Sequence, residues 1–485
     1  MARIVSKILT AAMAATLAAC SLEPDYRRPE APAPALDARP GTVAADIGWR
    51  EFFPDPQLQQ LIALALANNR DLRVAILNVE SAQAQYRIQR SDLFPNVAAS
   101  GTEQVERLPP GVLVPGSGPG SAGAAGGAIL RSDNVGVGFT SYELDLFGRV
   151  RSLNHAALQQ YFATGETRRG AQLTLVAEVA NAYLAVLADQ TLMDLTRDTL
   201  QAQAASYALT QEMFDRGATT ELALRQAEST VDTATANLAQ YSRQLAQDRN
   251  ALQLLLGAPI PDGIDLSGGL ERSAAVAELD EGIPSEVLVH RPDVLSAEHQ
   301  LMAATADIGA ARAAFFPAIS LTGSFGTASS QLSGLFKDNS QAWTFAPQIS
   351  VPIFAGGANV ANLQAAKLAR DTAVAQYEKA IQTAFREVAD GLVARGTLDD
   401  QLAAQQALVA ASQDAFRLAD MRFRGGVDSY LSVLDAQRSL YSAQQQLQSV
   451  RLSRLQNLVT LYKALGGGLQ EHSAAAPATT PKSAG

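Results

Sequence analysis

The chain has 485 residues but only one cysteine, four histidines and an aromatic content of 6%. With Cys20 alone, no disulfide can form within the chain. The sequence contains neither a Walker-type phosphate loop nor a Gly-x-Ser-x-Gly elbow. The histidines do not follow the spacing of metal ligands: they are His155, His290, His299 and His472. We therefore expect no enzyme activity, no metal and no dissociable cofactor; a Ser-His-Asp hydrolase without that elbow is the alternative that residue counts leave open.

Positive charge and long apolar runs are also scarce. The 38 Lys and Arg are outnumbered by 48 Asp and Glu, and the formal net charge is −10. An acidic chain is a poor partner for nucleic acid. After the first twenty residues, no uninterrupted apolar run reaches the roughly 18 residues of a transmembrane helix. If the mature chain crosses a membrane, it must therefore do so with strands.

The N-terminus has the layout of an export signal. Arg3 and Lys7 precede an apolar run, Ile8 to Ala19, that is too short to span a bilayer. The run ends in Leu-Ala-Ala-Cys, which resembles the lipobox of bacterial lipoproteins. We expect residues 1–19 to be a lipoprotein signal peptide and Cys20 to carry a covalent lipid; Ser21 implies delivery to the outer membrane. An ordinary signal peptide with an incidental cysteine is the alternative.

The chain contains two repeats. Leu-Phe-Pro, ending at Pro95, recurs 222 residues later as Phe-Phe-Pro, ending at Pro317. Other matches keep a shorter spacing: Phe147 and Phe354 lie 207 residues apart, and Gly217 and Gly426 lie 209 apart. The change in spacing places an insertion of about fifteen residues in the first repeat. The stretch from Leu108 to Leu130, rich in proline and glycine, supplies it as a long loop.

After each Phe-Pro motif the apolar pattern changes to the two-residue alternation of strands. Four strands are predicted: about 96–106, 133–146, 318–328 and 342–353. Their lengths are near the roughly 9–11 residues of a tilted membrane strand; a soluble antiparallel sheet packed on helices is the alternative. Four strands cannot close a transmembrane barrel, and lipid does not tolerate open edges. Several chains would therefore have to share one barrel.

Six helical segments are predicted: about 55–93, 148–213, 220–256, 285–315, 357–423 and 429–465. The two segments of roughly 65 residues contain no proline and would each be about 100 Å long. Their narrow apolar stripes predict side-by-side coiled-coil packing. Gly217 and Gly426 are expected to end them, and Thr219-Thr220 and Asp428-Ser429 to cap the helices that follow.

Three stretches are specific enough to indicate a family. They are Trp49 to Leu72, with Ala-Asn-Asn-Arg-Asp-Leu; Arg291 to Pro317, with Arg-Pro-Asp; and Gly426 to Arg438, with Gly-Val-Asp-Ser-Tyr-Leu. They resemble the outer-membrane efflux protein family, which is TolC-like, and match best its lipoprotein NodT/OprM branch. The resemblance covers nearly all of the mature chain, except the glycine-rich loop and about the last fifteen residues.

The resemblance implies a mainly α-helical protein with a membrane β-barrel. It implies a homotrimer in which each protomer gives four strands to a twelve-stranded barrel, continuous with a long periplasmic α-helical barrel. The domains would be a first repeat over 20–257, a linker over 258–284, a second repeat over 285–466 and a flexible tail over 467–485. An equatorial belt would be built from 21–50, 258–284 and 466–475.

The resemblance also assigns roles at the helical turns. Two turns would meet a periplasmic adaptor protein, through Gly217, Ala218, Thr219, Gly426, Val427 and Asp428. Asp428, Leu431, Asp435 and Arg438 share one face of the returning helix. Leu431 and Asp435 would narrow the periplasmic entrance; a solvated helix face with an Asp–Arg pair is the alternative. Ser432 and Ala223 stand where some channels of the family carry further acids, so no second acidic ring is expected.

These expectations combine into one functional hypothesis. The chain would be the outer-membrane exit duct of a tripartite efflux pump, joined through the adaptor to an inner-membrane transporter that supplies the energy. The exit channel of a protein secretion system is one alternative. A periplasmic coiled-coil lipoprotein without a pore is another, and the four alternating strands argue against it.

Overall fold

The computed structural model of the protein describes residues 21–30, 32, 44–109, 128–270 and 290–473. The expected signal peptide, the lipidation site Cys20 and part of the expected linker and tail lie outside these ranges. By compactness the chain divides into two units. The first is Met1–Pro29, Glu80–Ala163 and Glu298–Gln376; the second is Glu30–Val79, Thr164–Ala297 and Tyr377–Gly485.

The described part of the first repeat contains five α-helices and two strands. They are α1 Trp49–Phe52, α2 Pro56–Asn68, α3 Arg70–Ser91, β1 Val97–Leu108, β2 Ala128–Leu144, α4 Arg149–Asp215 and α5 Glu221–Leu256. Helix α4 has 67 residues and contains no proline, which is why nothing interrupts it.

In the described part of the second repeat, a helix, two strands and two further helices follow one another in the same order as α3 to α5 of the first repeat. They are α6 Pro292–Ala313, β3 Ala318–Ser329, β4 Gln341–Ser350, α7 Ala358–Arg424 and α8 Tyr430–Ala464. Helix α7 also has 67 residues. Helix α6 begins at Pro292 rather than near residue 285, because proline favours the first helical position; residues 285–289 lie outside the described ranges.

The helix expected over 55–93 is two helices, so that prediction was wrong. The chain is extended at Asn69, with φ −60° and ψ 132°. The Asn69 side chain caps α3 by accepting from the Leu72 N–H at 2.8 Å, and it donates to the Leu255 carbonyl at 2.9 Å. These two bonds satisfy the side-chain amide of Asn69, which is buried at 6% exposure, and they require the chain to leave the helix at this residue.

The start of α2 is as the sequence indicates. Asp55 caps the helix by accepting from the Gln57 N–H at 2.9 Å, and Pro56 occupies the first helical position. The other Asp55 oxygen accepts from the Tyr183 hydroxyl at 2.8 Å. This buried bond ties the capped end of α2 to α4 within the second unit.

A buried arginine anchors the start of α6. Arg291 is 8% exposed, and it donates to both carboxylate oxygens of Asp293 at 3.0 and 2.8 Å. It also donates to Glu387 of α7 at 2.7 Å and to the Ala464 carbonyl at the end of α8 at 2.9 Å. One side chain therefore joins three helices of the second unit, a structural role for the Arg-Pro-Asp motif.

Residues 467–473 are the described part of the C-terminal tail expected to be flexible over 467–485, and they bond to residues 48–50. The Trp49 and Arg50 N–H groups donate to the Gln470 and Glu471 carbonyls at 3.0 and 3.2 Å. The Gly48 N–H donates to the Ser473 hydroxyl at 3.0 Å. The prediction was therefore wrong for the described residues 467–473, whose carbonyls complete the backbone bonding of α1.

Phe52 anchors the core beside these tail contacts. Its ring stacks on Tyr462 with centroids 3.8 Å apart. Tyr462 in turn donates from its hydroxyl to the Ile47 carbonyl at 2.6 Å. The stacked rings and the Tyr462 hydroxyl therefore all have partners inside the second unit.

The four strands form one antiparallel sheet in the order β1-β2-β3-β4. Strand β2 begins at Ala128 rather than near 133, because its ladder with β1 continues to the pair Ala128 and Leu108. It ends at Leu144 rather than 146, and Asp145 then accepts from the Arg151 N–H of α4 at 2.8 Å. Strand β4 ends at Ser350, just before Pro352, which has no N–H to give to the ladder.

Among the described residues, no further strand pairs with β1 or β4, so both edges of the sheet are unpaired in one protomer. Every residue of β4 is exposed, and so are all residues of β1 except Leu108. The strands also carry large exposed apolar side chains: Val97, Val105, Ile129, Val135, Val137, Phe325, Trp343, Phe345 and Ile349. Water penalises such an apolar surface, and two unpaired edges invite a further strand on each side.

Helix α4 is long and apolar enough to cross a membrane by composition, the single such helix among the described residues. However, 61% of its most apolar 18-residue window is buried inside the protein. Burial of this kind is typical of a helix packed against other helices of the same chain.

Candidate functional site

The first helical turn reverses the chain between α4 and α5. Gly217 adopts φ +73°, and the Gly217 and Ala218 N–H groups each donate to α4 carbonyls at 2.8 Å. Glycine is favoured here because a positive φ brings the Cβ atom of other residues into steric conflict with the backbone. Thr220 then caps α5 by accepting from the Ala223 N–H at 3.3 Å.

The second turn repeats this backbone between α7 and α8. Gly426 adopts φ +70°, and the Gly426 and Val427 N–H groups each donate to α7 carbonyls at 2.9 Å. The expected capping differs: the Ser429 side chain makes no capping bond. Ser429 does occupy the N-cap position of α8, but Asp428 is turned back toward α7, so the predicted cap is right in position and lacks its side-chain bond.

Asp428 pairs with Arg422 across the second turn. The two guanidinium nitrogens Nε and Nη2 donate to the two carboxylate oxygens at 2.6 and 2.9 Å. This pair holds the pKa of Asp428 below its ordinary value and raises the pKa of Arg422. The repeat spacing places Thr219 and Met213 at the corresponding positions of the first turn, so the first turn has no such pair.

The six residues predicted to dock an adaptor lie on these turns. Four of them are exposed, namely Gly217, Ala218, Gly426 and Val427, while Thr219 and Asp428 are half-buried. A Cβ atom at either turn glycine would meet nothing within 4 Å. The two turns are therefore exposed, with open space around their glycines.

The helix face predicted to narrow a channel is exposed in the protomer. Leu431 is 46% exposed, and Asp435 and Arg438 are exposed as well. Neither Asp435 nor Arg438 has an ion-pair partner in the part of the chain that the structure describes. Among the described residues, the Asp–Arg pair considered from sequence does not occur on this face, and Asp428 bonds Arg422 of α7 instead.

An apolar cluster fixes the opposite face of the same helix turn. Tyr430, Val433 and Leu434 are buried with Ala227 of α5. Tyr430 also contacts Phe423, with ring centroids 5.2 Å apart, and its hydroxyl hydrogen-bonds the Ser206 hydroxyl of α4. Anchoring on one side holds Leu431 and Asp435 on the other, so their orientation is set by packing.

Two polar clusters were not visible in the sequence. In the first unit, Gln159 bridges His155 at 3.0 Å and His299 at 2.8 Å, and His155 contacts Glu23 at 2.7 Å. These histidines lie 144 residues apart in the sequence, so no local spacing could reveal them. No group of His, Cys, Asp and Glu suited to a metal occurs among the residues that the structure describes.

The second cluster joins two carboxyl groups in the second unit. Oδ2 of Asp189 on α4 is buried without a hydrogen-bond partner, and Asp248 on α5 lies against the same carboxyl. Burial, followed by the contact with Asp248, raises the pKa of Asp189 from 3.8 to about 7. Near neutral pH this acid therefore titrates.

Comparison with known proteins places this architecture in a family. The sequence model of the family described as "Outer membrane efflux protein" matches residues 61–258 and 283–467. The two matched ranges confirm the two repeats. A relative from Pseudomonas putida named "Probable efflux pump outer membrane protein TtgC" is 49% identical over 478 residues, which cover 96% of each chain.

Two solved structures share the fold. A membrane protein from Pseudomonas aeruginosa superposes with a TM-score of 0.84 at 43% identity, covering 93% of this chain and 98% of that one. The open state of the Neisseria gonorrhoeae MtrE outer membrane channel gives 0.84 at 41% identity, covering 94% and 100%. The predicted fold class, mainly α-helical with a four-stranded sheet, is confirmed. The chain belongs to the outer membrane efflux protein family.

Proposed function

We propose that the chain is the outer-membrane exit duct of a tripartite efflux pump. The duct is a passive conduit, and an inner-membrane transporter supplies the energy through a periplasmic adaptor. A relative from Pseudomonas putida is named "Toluene efflux pump outer membrane protein TtgC" and is 49% identical to this chain. We extend the same role to this chain, with drugs or solvents as cargo and without enzymatic chemistry.

The open four-stranded sheet is the observation that carries this proposal. Its exposed apolar side chains suit lipid, but lipid offers no partners for the unpaired backbone of β1 and β4. Copies of the chain resolve this by sharing strands in one closed barrel. The family resemblance sets the number of copies at three, which gives twelve strands.

The turns and the exposed helix face supply the other parts of a duct. The turns at Gly217 and Gly426 dock the adaptor with exposed backbone and small side chains. Leu431 and Asp435 face the axis at the periplasmic entrance, one copy from each protomer. Three leucines would resist wetting, and three carboxylates would attract cations.

A lipid at Cys20 adds a second anchor to the barrel. One acyl chain alone binds a membrane only marginally, so lipid and barrel reinforce each other. Mass spectrometry of the mature N-terminus from native membranes should find acylated Cys20. An unmodified Cys20 in those membranes would reject the lipid while leaving the duct untouched.

Transport and conductance together test the duct. In a strain lacking its own exit duct but keeping a matched adaptor and transporter, this chain should restore drug or solvent resistance. The purified protein should open cation-preferring channels in planar bilayers. Restored export of a secreted protein without drug resistance would favour the secretion alternative. If the assembled protein shows no conductance, the alternative of a periplasmic coiled-coil lipoprotein without a pore would be favoured.

A further inference from the structure

Each repeat has a junction between its helices and its strands, and phenylalanines lie at both junctions. Only one pair of these phenylalanines stacks within the protomer. Phe147 follows β2 and Phe316 precedes β3. Their rings stack with centroids 4.7 Å apart and an interplanar angle of 22°. By the repeat spacing, Phe354 corresponds to Phe147, and Phe94 corresponds to Phe316. The second pair has the same residue types at the same places in the repeat.

The corresponding pair is unpartnered in one protomer. Phe354 is 91% exposed and Phe94 is 64% exposed, whereas Phe316 is 41% exposed. Ile353 beside Phe354 is 95% exposed. Within the residues that the structure describes, neither Phe94 nor Phe354 has a ring partner. Two large apolar side chains are thus left without a ring partner at one junction, although the rings of the corresponding pair stack on each other and are less exposed.

The strand order explains why the first pair meets and the second does not. Phe147 and Phe316 lie at the boundary between β2 and β3, where the first repeat passes to the second. Phe354 follows β4 and Phe94 precedes β1, and these strands are the two edges of the sheet. Repeating the same succession would place β1 of another copy beside β4. A head-to-tail contact of this kind closes into a ring when its rotation allows.

We propose that Phe354 of one copy stacks on Phe94 of the next copy, with Ile353 covered at the same contact. The second junction is thus completed only between copies. The inference rests on the proposed function in that it needs copies to share a barrel. It adds the residues that join them, and offset or tilted stacking of such rings stabilises a contact beyond simple burial. Membrane lipid is the competing cover for Phe354.

Paired cysteines test whether Phe354 is covered by Phe94 of the next copy or by membrane lipid. Variants Phe94→Cys/Phe354→Cys and Phe147→Cys/Phe316→Cys are treated in membranes with dibromobimane, which fluoresces only when it bridges two thiols. We expect fluorescence in dimer and trimer bands for the first variant, and in the monomer band for the second. Each single variant and the parent chain, which keeps Cys20, provide the background. Copies carrying only Phe94→Cys, co-expressed with copies carrying only Phe354→Cys, should cross-link to each other.

An energetic test uses alanine. Phe94→Ala and Phe354→Ala should each lower the temperature at which the assembled protein dissociates in detergent, and the double variant should add little to either single. Phe336→Ala, at a position 78% exposed between β3 and β4, should leave that temperature unchanged. Additive effects, or cross-linking of 94 and 354 within one copy, would overturn the contact. Native mass spectrometry of the parent chain separates the failures: a monomer rejects the shared barrel itself, whereas a trimer without the cross-link rejects only this contact.

Discussion

Arg422 and Asp428 form a two-bond ion pair across the turn between α7 and α8, at 2.6 and 2.9 Å. The corresponding turn between α4 and α5 has Met213 and Thr219 instead. Two turns with the same backbone therefore differ in how their tips are held. The difference lies at the surface proposed to meet the adaptor.

Replacing Arg422 by methionine removes the ion pair and gives the second turn the residue type found at the corresponding position of the first, Met213. We expect Arg422→Met to increase hydrogen exchange of the amides of residues 425–429 and to weaken adaptor binding, with the oligomer intact. Arg417→Met is the matched control, because Arg417 pairs with Asp414 on the same helix and is also exposed. Equal adaptor binding by both variants would remove the ion pair from the docking surface.

Side chains at the turn glycines should strain both turns. Gly217→Val and Gly426→Val force a β-branched residue to a positive φ, at a cost of about 1–2 kcal/mol or more each. We expect lower drug resistance with normal amounts of assembled protein. Gly396→Val is the control, since Gly396 lies inside α7 with nothing within 4 Å of a Cβ. Drug resistance equal to that of the control in both turn variants would contradict a docking role.

The entrance face should separate size from charge. Leu431→Ser should raise the resting conductance, because it weakens an apolar constriction. Asp435→Asn should lower both the preference for cations and the degree to which polyvalent cations block the channel. Single-channel recordings check both effects. Ser442→Ala, on an exposed position further along α8, is the control. Parent-like conductance and selectivity in both variants would return this face to an ordinary solvated surface.

Arg291 should be costly to lose because its side chain is 8% exposed and bonds two carboxylates and the Ala464 carbonyl. Arg291→Ala removes the cation from Asp293 and Glu387, which are 46% and 37% exposed and stay partly hydrated, and we expect destabilisation of about 1–3 kcal/mol. Arg197→Ala, which removes an exposed pair with Asp194, should cost less than about 1 kcal/mol. Denaturant unfolding in detergent measures both. A change below that of the control would show that the three-helix contact does not stabilise the fold.

Asp189 should make stability depend on pH. Its pKa is raised from 3.8 to about 7, so between these values the folded protein holds more protons than the unfolded chain. Stability should therefore fall as the pH rises through this interval and level off above it. We expect Asp189→Asn to flatten the melting temperature between pH 5 and pH 8, compared at about those values. Asp198→Asn, on the exposed side of the same helix, should keep the slope.

Asp248→Asn refines the same test. Removing the neighbouring carboxyl takes away one of the two causes that raise the pKa of Asp189, and burial remains. The pH dependence should persist but shift toward lower pH. A slope that is unchanged in both Asp189→Asn and Asp248→Asn would assign the pH dependence to other groups.

The features that the sequence predicted are those with a local signal. Alternating apolar residues indicated the strands, and the glycines at 217 and 426 indicated the turns, because period and positive φ are read from neighbouring residues. The break at Asn69 was missed, although an Asn-Asn pair is itself a local signal for a cap. Its stabilising bond goes to Leu255, far along the chain.

The remaining surprises depend on contacts between distant segments. The Asp189 and Asp248 contact joins two helices, and neither residue stands out from the many acids around it. The order of residues 467–473 depends on α1, whose sequence lies more than 400 residues earlier. Low local complexity in a tail predicts flexibility only when no other segment offers it backbone partners.

The bonding between α1 and the C-terminal segment has a consequence for the order of assembly. Trp49 and Arg50 precede their partners Gln470 and Glu471 by 421 residues, so both repeats are synthesised before the carbonyls of those partners exist. A chain stopped before Gln470 keeps both repeats but leaves the Trp49 and Arg50 N–H groups without these acceptors. Helix α1 therefore acquires its full set of backbone bonds only after α8 has been made.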